Sequence, residues 1–289
     1  MTELPWPFVG SEALSTGAIS ERAMRRLYAP LYPNVYVPRD VPVAADQRAQ
    51  AAWLWSKRRG ILAGLSAAAV LGAKWIEATE SAELIHDNRR PPRKLVVRTE
   101  SVLPDELTTM NGMRLTTPAR TAFDLGRHLE SRTVAVQRLD ALANATGLEH
   151  VDVEAVMAAH AGARGIPRLR RVLPLVDGGA ESPQETVARL ALIDAGLPAP
   201  QTQVRVFDGF GQVIARIDMA YEDFKVGIEY DGPQHWTDPR VRQRDIDKQF
   251  ELTELRWLII RVSRDLLRYR RATYVARVES ALRSRGLRW

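Results

Sequence analysis

The chain has 289 residues, 45% of them hydrophobic and 26% charged, with no cysteine and a net charge of +6. That apolar content suffices for a packed core, and the length suggests about two domains. The lack of cysteine excludes disulfides, thiolate zinc sites, iron–sulfur clusters and cysteine nucleophiles. The longest apolar stretch, Ile61 to Ala73, falls short of the ~20 residues that span a bilayer, and Met1 to Gly10 lacks the pattern of a signal peptide. The expectation is a soluble cytoplasmic chain with no membrane partner. The charge is uneven: from Arg240 to Trp289 there are 14 Lys and Arg against 6 Asp and Glu, a surplus larger than that of the whole chain. A basic C-terminal third reads as a footprint for a polyanion, or more plainly as a solvated helical face.

Three regions separate by pattern, residues 1–43, 44–176 and 180–289. In the first, Ser11 to Thr16 is predicted helical, Gly17 breaks it, and Ser20 caps a second helix over Glu21 to Tyr28. Two helices about a tight turn have the shape of a helix-turn-helix. Arg22, Arg25 and Arg26 lie on the second helix, with Arg22 and Arg26 on one face. Pro33 and Asn34 make a turn, and Val35 to Pro38 is a strand that would serve as a wing. An ordinary helical hairpin with exposed arginines has the same pattern.

In the middle region, helices are expected over Ala45 to Arg59 and Ser66 to Gly72, and strands over Ala82 to His86, Lys94 to Thr99 and Met113 to Thr116. Thr117-Pro118 opens a helix, with Thr as cap and Pro at the first helical position. Further helices follow at Ser131 to Ala145, Val151 to His160 and Ile166 to Val176. His86, His128, His150 and His160 have no metal-ligand spacing and read as surface or packing residues.

After Asp177-Gly178-Gly179 the third region reads helix (Ser182 to Ala195), strands (Gln203 to Phe207, Val213 to Ala220, Lys225 to Tyr230), helix (Arg240 to Leu255), strand (Trp257 to Val262) and helix (Arg264 to Leu282). This is an α/β layer with a mixed sheet. Asp218 lies in the second strand, and Glu229-Tyr230-Asp231 ends the third. A short turn at Glu222 and Asp223 makes these strands a hairpin that brings Glu229 near Asp218. Carboxylates that meet repel unless a cation sits between them, and Mg²⁺ or Mn²⁺ takes carboxylate oxygens together with substrate phosphate. Glu185 is a third acid, on the preceding helix, but Ser182-Pro183-Gln184-Glu185 is also a capping box. Asp231-Gly232 is also a turn signal. Gln234 and His235 follow at the mouth of the site, where a histidine can take a proton from water or pack on Trp236. Asp245 and Lys248 lie one helical turn apart.

The order Ser182 to Glu185, Ile217-Asp218, Ile228 to Gly232 with His235, Asp245 with Lys248, then Trp257 to Val262 resembles the domain family related to very-short-patch mismatch-repair endonucleases, within the PD-(D/E)xK nuclease superfamily. The resemblance covers about Ala180 to Leu282. It implies a restriction-endonuclease-like sheet, Asp218 and Glu229 as ligands of Mg²⁺ or Mn²⁺, Glu185 in support and His235 as a base. The lysine that the superfamily places two residues after Glu229 is replaced by Asp231, so Gln234, His235 or Lys248 would substitute. Gly17 to Leu27, Pro33 to Pro38 and Thr116 to Leu125 resemble AbiEi-type antitoxin and transcriptional-regulator proteins, which implies a DNA-binding winged helix. Within the last motif, Arg120 and Asp124 are four apart and read as a structural pair.

The expected fold is therefore α/β: a winged helix-turn-helix, an AbiEi-like α/β middle region and a nuclease-like mixed sheet flanked by helices. Two functions follow. One is a metal-dependent DNA endonuclease acting on duplex, mismatched or branched DNA, with Arg22, Arg25, Arg26, Arg240, Arg242 and Arg244 on the DNA. The other is a DNA-binding regulator or antitoxin, with a toxin as partner and an inactive nuclease-like domain. An RNA-acting nuclease is a weaker third.

Overall fold

The computed structural model describes residues 4–88, 90–232 and 248–288. It is a mixed α/β structure with three sheets among the described residues, and it divides into two compact units, Met1–Val176 and Asp177–Trp289.

The first unit begins with β1 (Phe8–Val9), α1 (Gly10–Ser15), α2 (Glu21–Leu27), β2 (Tyr28–Tyr32) and β3 (Val35–Pro38). Gly17 makes the turn between the helices at φ +68°, where a side chain would be strained. The Ser20 hydroxyl accepts the Ala23 N–H and starts α2. The strands form a sheet in the order β1-β3-β2. Asn34, at the β2–β3 turn, accepts the Ser11 N–H on Oδ1 and donates from Nδ2 to Ser11 Oγ. The hairpin tip is thereby tied to the first turn of α1. Sequence periodicity did not reveal β1 or β2, because two to five residues with proline among them carry little alternation.

The segment 44–176 builds a five-stranded sheet in the order β6-β5-β4-β8-β7, from β4 (Ile61–Leu62), β5 (Ala82–Ile85), β6 (Leu95–Arg98), β7 (Leu107–Met110) and β8 (Met113–Thr116). Helices α3 (Ala45–Trp55), α4 (Gly64–Val70), α5 (Pro118–His128), α6 (Arg132–Thr146), α7 (His150–Ala159) and α8 (Ile166–Val172) accompany it. Tyr32 and Val35 of the N-terminal sheet share a core with Ala49, Ala52, Leu62, Leu84 and Leu115, so residues 1–43 pack directly into this unit.

The run Thr116 to Leu125 decodes residue by residue. Thr117 accepts the Arg120 N–H and caps α5, with Pro118 at its first position. Thr121 pairs with Thr116 through their hydroxyls at 2.7 Å. Arg120, only 1% exposed, donates to Asp124 (3.1 Å), Glu106 (2.5 Å) and Glu100 (3.4 Å) and to the Ser101 carbonyl (3.1 Å). Arg127 donates to Asp124 through both Nε and a terminal nitrogen, and also to Glu100. His160 Nε2 meets Glu106 Oε1 at 2.5 Å. Both guanidinium groups lie over the Phe123 ring. Burial is the first influence on this cluster: it pushes Asp124 up to about 6 against the attraction of Arg120, and it pushes Arg127 down to about 10, with repulsion from Arg98 adding to it.

The second unit contains α9 (Pro183–Asp194), β9 (Gln201–Phe207), β10 (Val213–Tyr221), β11 (Val226–Asp231), α10 (helical over 248–254), β12 (Leu258–Ser263), α11 (Arg264–Tyr269) and α12 (Arg271–Ser284). The sheet order is β12-β11-β10-β9. Antiparallel pairing joins β9, β10 and β11, and β11 and β12 run parallel. One core joins the sheet to α9, α11 and α12 through Ala188, Leu192, Met219, Ile228, Val262, Leu266, Tyr274 and Val278. Another joins Val204, Val206, Ile217 and Ala220 to Leu252 of α10. The single C-terminal helix expected over Arg264 to Leu282 is two helices, because Arg270 leaves helical geometry at φ −136° and ψ 37°. No Gly or Pro marks that break.

Because Arg120 neutralises acids buried beside it, its loss strands charge in the core. Arg120→Met should destabilise the chain by about 3–5 kcal/mol. Arg25→Ala, which removes an exposed pair with Glu21, should cost less than about 0.5 kcal/mol. Denaturant midpoints followed by circular dichroism measure both, and equal midpoints for the two variants would refute the assignment.

Candidate functional site

Two places collect the residues singled out in the sequence. The first is the exposed side of α2. Arg22 and Arg26 are exposed and one helical turn apart, with no acidic partner among the described residues. Arg25 is also exposed but is held by Glu21 at 2.7 Å, and its carbonyl accepts from Arg39. Arg240, Arg242 and Arg244 lie outside the described residues.

The second is a row of polar side chains across the C-terminal sheet. The β10–β11 register pairs Met219 with Ile228, and one further step sets Asp218 opposite Glu229. The β9–β10 register pairs Ile217 with Val204 and Met219 with Thr202, which sets Asp218 opposite Gln203. The β11–β12 register pairs Glu229 with Arg261. Gln203, Asp218, Glu229 and Arg261 thus form one line over four strands. Directly opposed residues share a face of the sheet, with Cβ atoms roughly 5 Å apart.

Asp218 interrupts the ladder. Its Oδ2 accepts the Tyr230 N–H at 2.8 Å, a donor that the neighbouring strand would otherwise bond. Burial raises its pKa first; the Tyr230 hydrogen bond opposes this, Glu229 adds to it and Lys248 opposes it. Lys248 Nζ lies 2.5 Å from Glu229 Oε1. Of the three substitutes considered for the missing lysine, Lys248 is therefore the one that reaches Glu229 among the described residues. Gln234 and His235 lie outside them.

Glu185 comes from the first turn of α9 and is 7% exposed. Ser182 Oγ accepts the Glu185 N–H at 3.2 Å, which is half of the expected capping box. The reciprocal half is displaced: Glu185 Oε2 takes the Glu181 N–H at 2.9 Å instead of the Ser182 N–H. The same oxygen lies 3.4 Å from Gln203 Nε2. Burial is the main cause that pushes Glu185 up to about 7, and the charge on Asp218 adds to it. Asp231 stands apart from these three. It pairs with Ser263 and lines a cleft with Arg261, Asp265, Arg270 and Arg277. Sequence reading missed Gln203. Counting outward from the Asp208-to-Gln212 turn sets Gln203 opposite Ile217, and a bulge between Val213 and Ala215 shifts the register by one residue to bring it opposite Asp218.

Three acids against Lys248 and Arg261 leave excess negative charge in a partly buried place, and oxygen donors of this kind suit a hard divalent cation. An orphaned acceptor adds to the fit: Gln203 Oε1 is buried, and among the described residues nothing donates to it. A tighter trio lies elsewhere. Glu100, Asp124 and His128 offer ligand atoms within 4.8 Å of one another, closer than the three C-terminal acids come among the described residues. There, however, Arg120 and Arg127 already hold the carboxylates. Burial first, then nearby arginines, push His128 down to about 3, so its contact with Glu100 at 3.2 Å is a hydrogen bond from a neutral imidazole and not an ion pair.

Comparison with known proteins separates the regions further. Residues 44–175 match the model of the AbiEi antitoxin C-terminal domain family. Uncharacterized protein MT2308 and uncharacterized protein Rv2248, from two strains of Mycobacterium tuberculosis, are each 34% identical to the chain over 172 residues. The match covers 60% of this chain and 63% of each relative, so it spans just under two thirds of the curated relatives. No solved structure matches. Among the described residues, no helix is long and apolar enough to cross a membrane.

The raised Glu185 pKa has a defined consequence for stability. Between the ordinary value of 4.5 and about 7, the folded chain holds a proton that the unfolded chain has lost. The contribution is complete below the lower value and is lost as pH rises towards the higher one. Glu185→Gln keeps a capping side chain and removes the titration. Its melting temperature should therefore fall less than that of the wild type between about pH 5 and about pH 8. Parallel pH profiles would refute the buried, proton-holding Glu185.

Proposed function

We propose that this chain is a DNA-binding regulator of the antitoxin type, with a toxin protein as its partner. The observation that carries the reading is the α1–Gly17–α2 pair followed by the β2–β3 hairpin, presenting Arg22 and Arg26 exposed on one face of α2 with no acidic partner among the described residues, and packed into a region matching the AbiEi antitoxin C-terminal domain. In this reading α2 enters the major groove. Arginines without an intramolecular partner bind phosphate at little desolvation cost and release counterions when they do. Arg25 is committed to Glu21 and contributes less.

A second reading rests on the C-terminal row: the unit hydrolyses phosphodiesters with a divalent cation held by Asp218 and Glu229, supported by Glu185. A bound Mg²⁺ or Mn²⁺ would supply Lewis acidity and an activated water. The chain's own part is narrower. Asp218 is fixed by the Tyr230 N–H, Glu229 is oriented by Lys248, and Lys248 offers a cation to a phosphate oxygen where the superfamily uses a lysine two residues beyond Glu229. A regulator that retained this row would be a DNA-binding protein with a cation site, so the two readings can hold together.

Duplex DNA binding should weaken steeply as salt rises. Arg22→Ala with Arg26→Ala should lower affinity by roughly tenfold or more and flatten the salt slope by about two phosphate contacts, without shifting the melting temperature. Fluorescence anisotropy over a salt series measures this. Full binding by the double variant would remove α2 as the reading helix. For the second reading, cleavage of plasmid and mismatched DNA with Mn²⁺ should be lost in Asp218→Asn and fall by at least about a hundredfold in Lys248→Met. No cleavage by the wild type on any DNA would leave the regulator alone.

A further inference from the structure

The C-terminal unit holds more cations than its polar row engages. Around the junction of α11 and α12, residues 264–277 carry Arg264, Arg268, Arg270, Arg271 and Arg277 against a single acid, Asp265. All five arginines are exposed, and none has an ion pair among the described residues. Further along α12, Arg283 is by contrast held by Glu279 at 2.7 Å. Folding gains nothing from such a set: Arg264 and Arg268 are four apart on α11, a spacing at which like charges weaken a helix. Beside them stands Tyr269, 69% exposed, with the Arg268 guanidinium 5.2 Å from its ring centroid. Tyr269, Arg270 and Arg277 together line a cleft of about 310 Å³, at the lower end of the sizes that hold a small ligand.

Phosphate fits the arginines. A guanidinium fork matches phosphate oxygens in pairs, and one without an ion pair reaches them with no internal contact to break. The tyrosine narrows the partner. In a duplex every base already stacks on its neighbours, so an exposed ring gains little. In a single strand the base faces are open, and an aromatic ring with arginines around it gives them a platform. An anionic membrane would take the same arginines, but it also needs an apolar helix face to enter. α12 spends that face on the core, through Tyr274, Val278, Ala281 and Leu282. Asp231 and Asp265 line the cleft as well. They repel phosphate and can accept from base amino groups, so they favour a base inside the cleft and phosphates outside it. We propose that the α11–α12 corner binds single-stranded nucleic acid, with a base against Tyr269 and the flanking phosphates on Arg270 and Arg277. This rests on neither reading above, since it needs no cation and no part of α2.

Fluorescence anisotropy of the full chain tests this with a labelled strand of A and C only, which cannot pair with itself, made as DNA and as RNA, beside a duplex of the same DNA sequence. Tyr269→Ala should weaken binding of the tighter-bound single strand by at least about fivefold and leave duplex affinity unchanged. Tyr269→Phe keeps the ring and should bind like the wild type. Arg270→Ala with Arg277→Ala should also weaken single-strand binding, and should flatten its salt slope by up to about 1.4 for two phosphate contacts. Melting temperatures should not move, because all three side chains are exposed. Arg22→Ala with Arg26→Ala should leave the single strand bound at wild-type strength; its loss there would assign the binding to α2 and overturn the proposal. No single-strand binding by the wild type overturns it, as does wild-type affinity in Tyr269→Ala or an equal loss on single strand and duplex. Vesicles containing phosphatidylserine that bind the wild type and not the paired arginine variant, with single-strand affinity equal in the two, would give the surface to a membrane and overturn it as well.

Discussion

A strand paired antiparallel on both sides has a fixed neighbour left and right of every residue, and in the C-terminal unit that strand is β10. Its register with β11 and β9 sets Asp218 between Glu229 and Gln203. Neither pairing is regular there, because the Tyr230 N–H bonds the Asp218 side chain and Gln203 leaves strand geometry. The apolar residues around the interruption are packed on both faces, Ile217 and Ala220 in one core and Met219 and Tyr221 in the other. That packing holds the row in place while its backbone bonds are diverted. It also accounts for the electrostatics, since burial is the first cause of the raised pKa of both Asp218 and Glu185.

Much of this was legible from sequence where a local interaction carries the signal. Ser20, Thr117 and Ser182 each cap the helix that their position suggested. The hairpin between Asp218 and Glu229 follows from the acidic turn at Glu222 and Asp223. What was hidden is non-local or conformational. Strands such as β4 are too short to alternate, and β4 exists because β5 and β8 flank it. The break at Arg270 has no residue type to announce it. Lys248 could be named only as one of three substitutes, since distance along the chain does not say which side chain reaches Glu229. Gln203 gave no signal, because a positive φ at glutamine is decided by the neighbours and not by the residue.

The Thr116 to Leu125 run shows why a specific motif need not be catalytic. Every polar member is consumed by a structural bond: a cap at Thr117, a hydroxyl pair at Thr121, and ion pairs at Arg120 and Asp124. Removing water from this cluster is costly, and the cost is met only because the partners satisfy one another. Such a set tolerates little substitution, which makes a sequence signature out of a packing requirement.

The two ionic clusters finally differ in charge balance more than in geometry. Both contain carboxylates whose pKa burial raises, so perturbed titration alone does not separate a working site from a scaffold. The Glu100–Asp124–His128 trio is the tighter, yet Arg120 and Arg127 donate to both of its acids, and another positive charge would meet two guanidinium groups at once. It is electrically closed. The row in the C-terminal sheet is looser but has Lys248 and Arg261 for three acids, and an amide oxygen with no donor among the described residues. Positive charge is what that row still lacks, and a cation entering it would draw the carboxylates together. A site that is incomplete in charge and in hydrogen bonding is the kind that a ligand completes, and by that criterion the wider cluster is the better candidate.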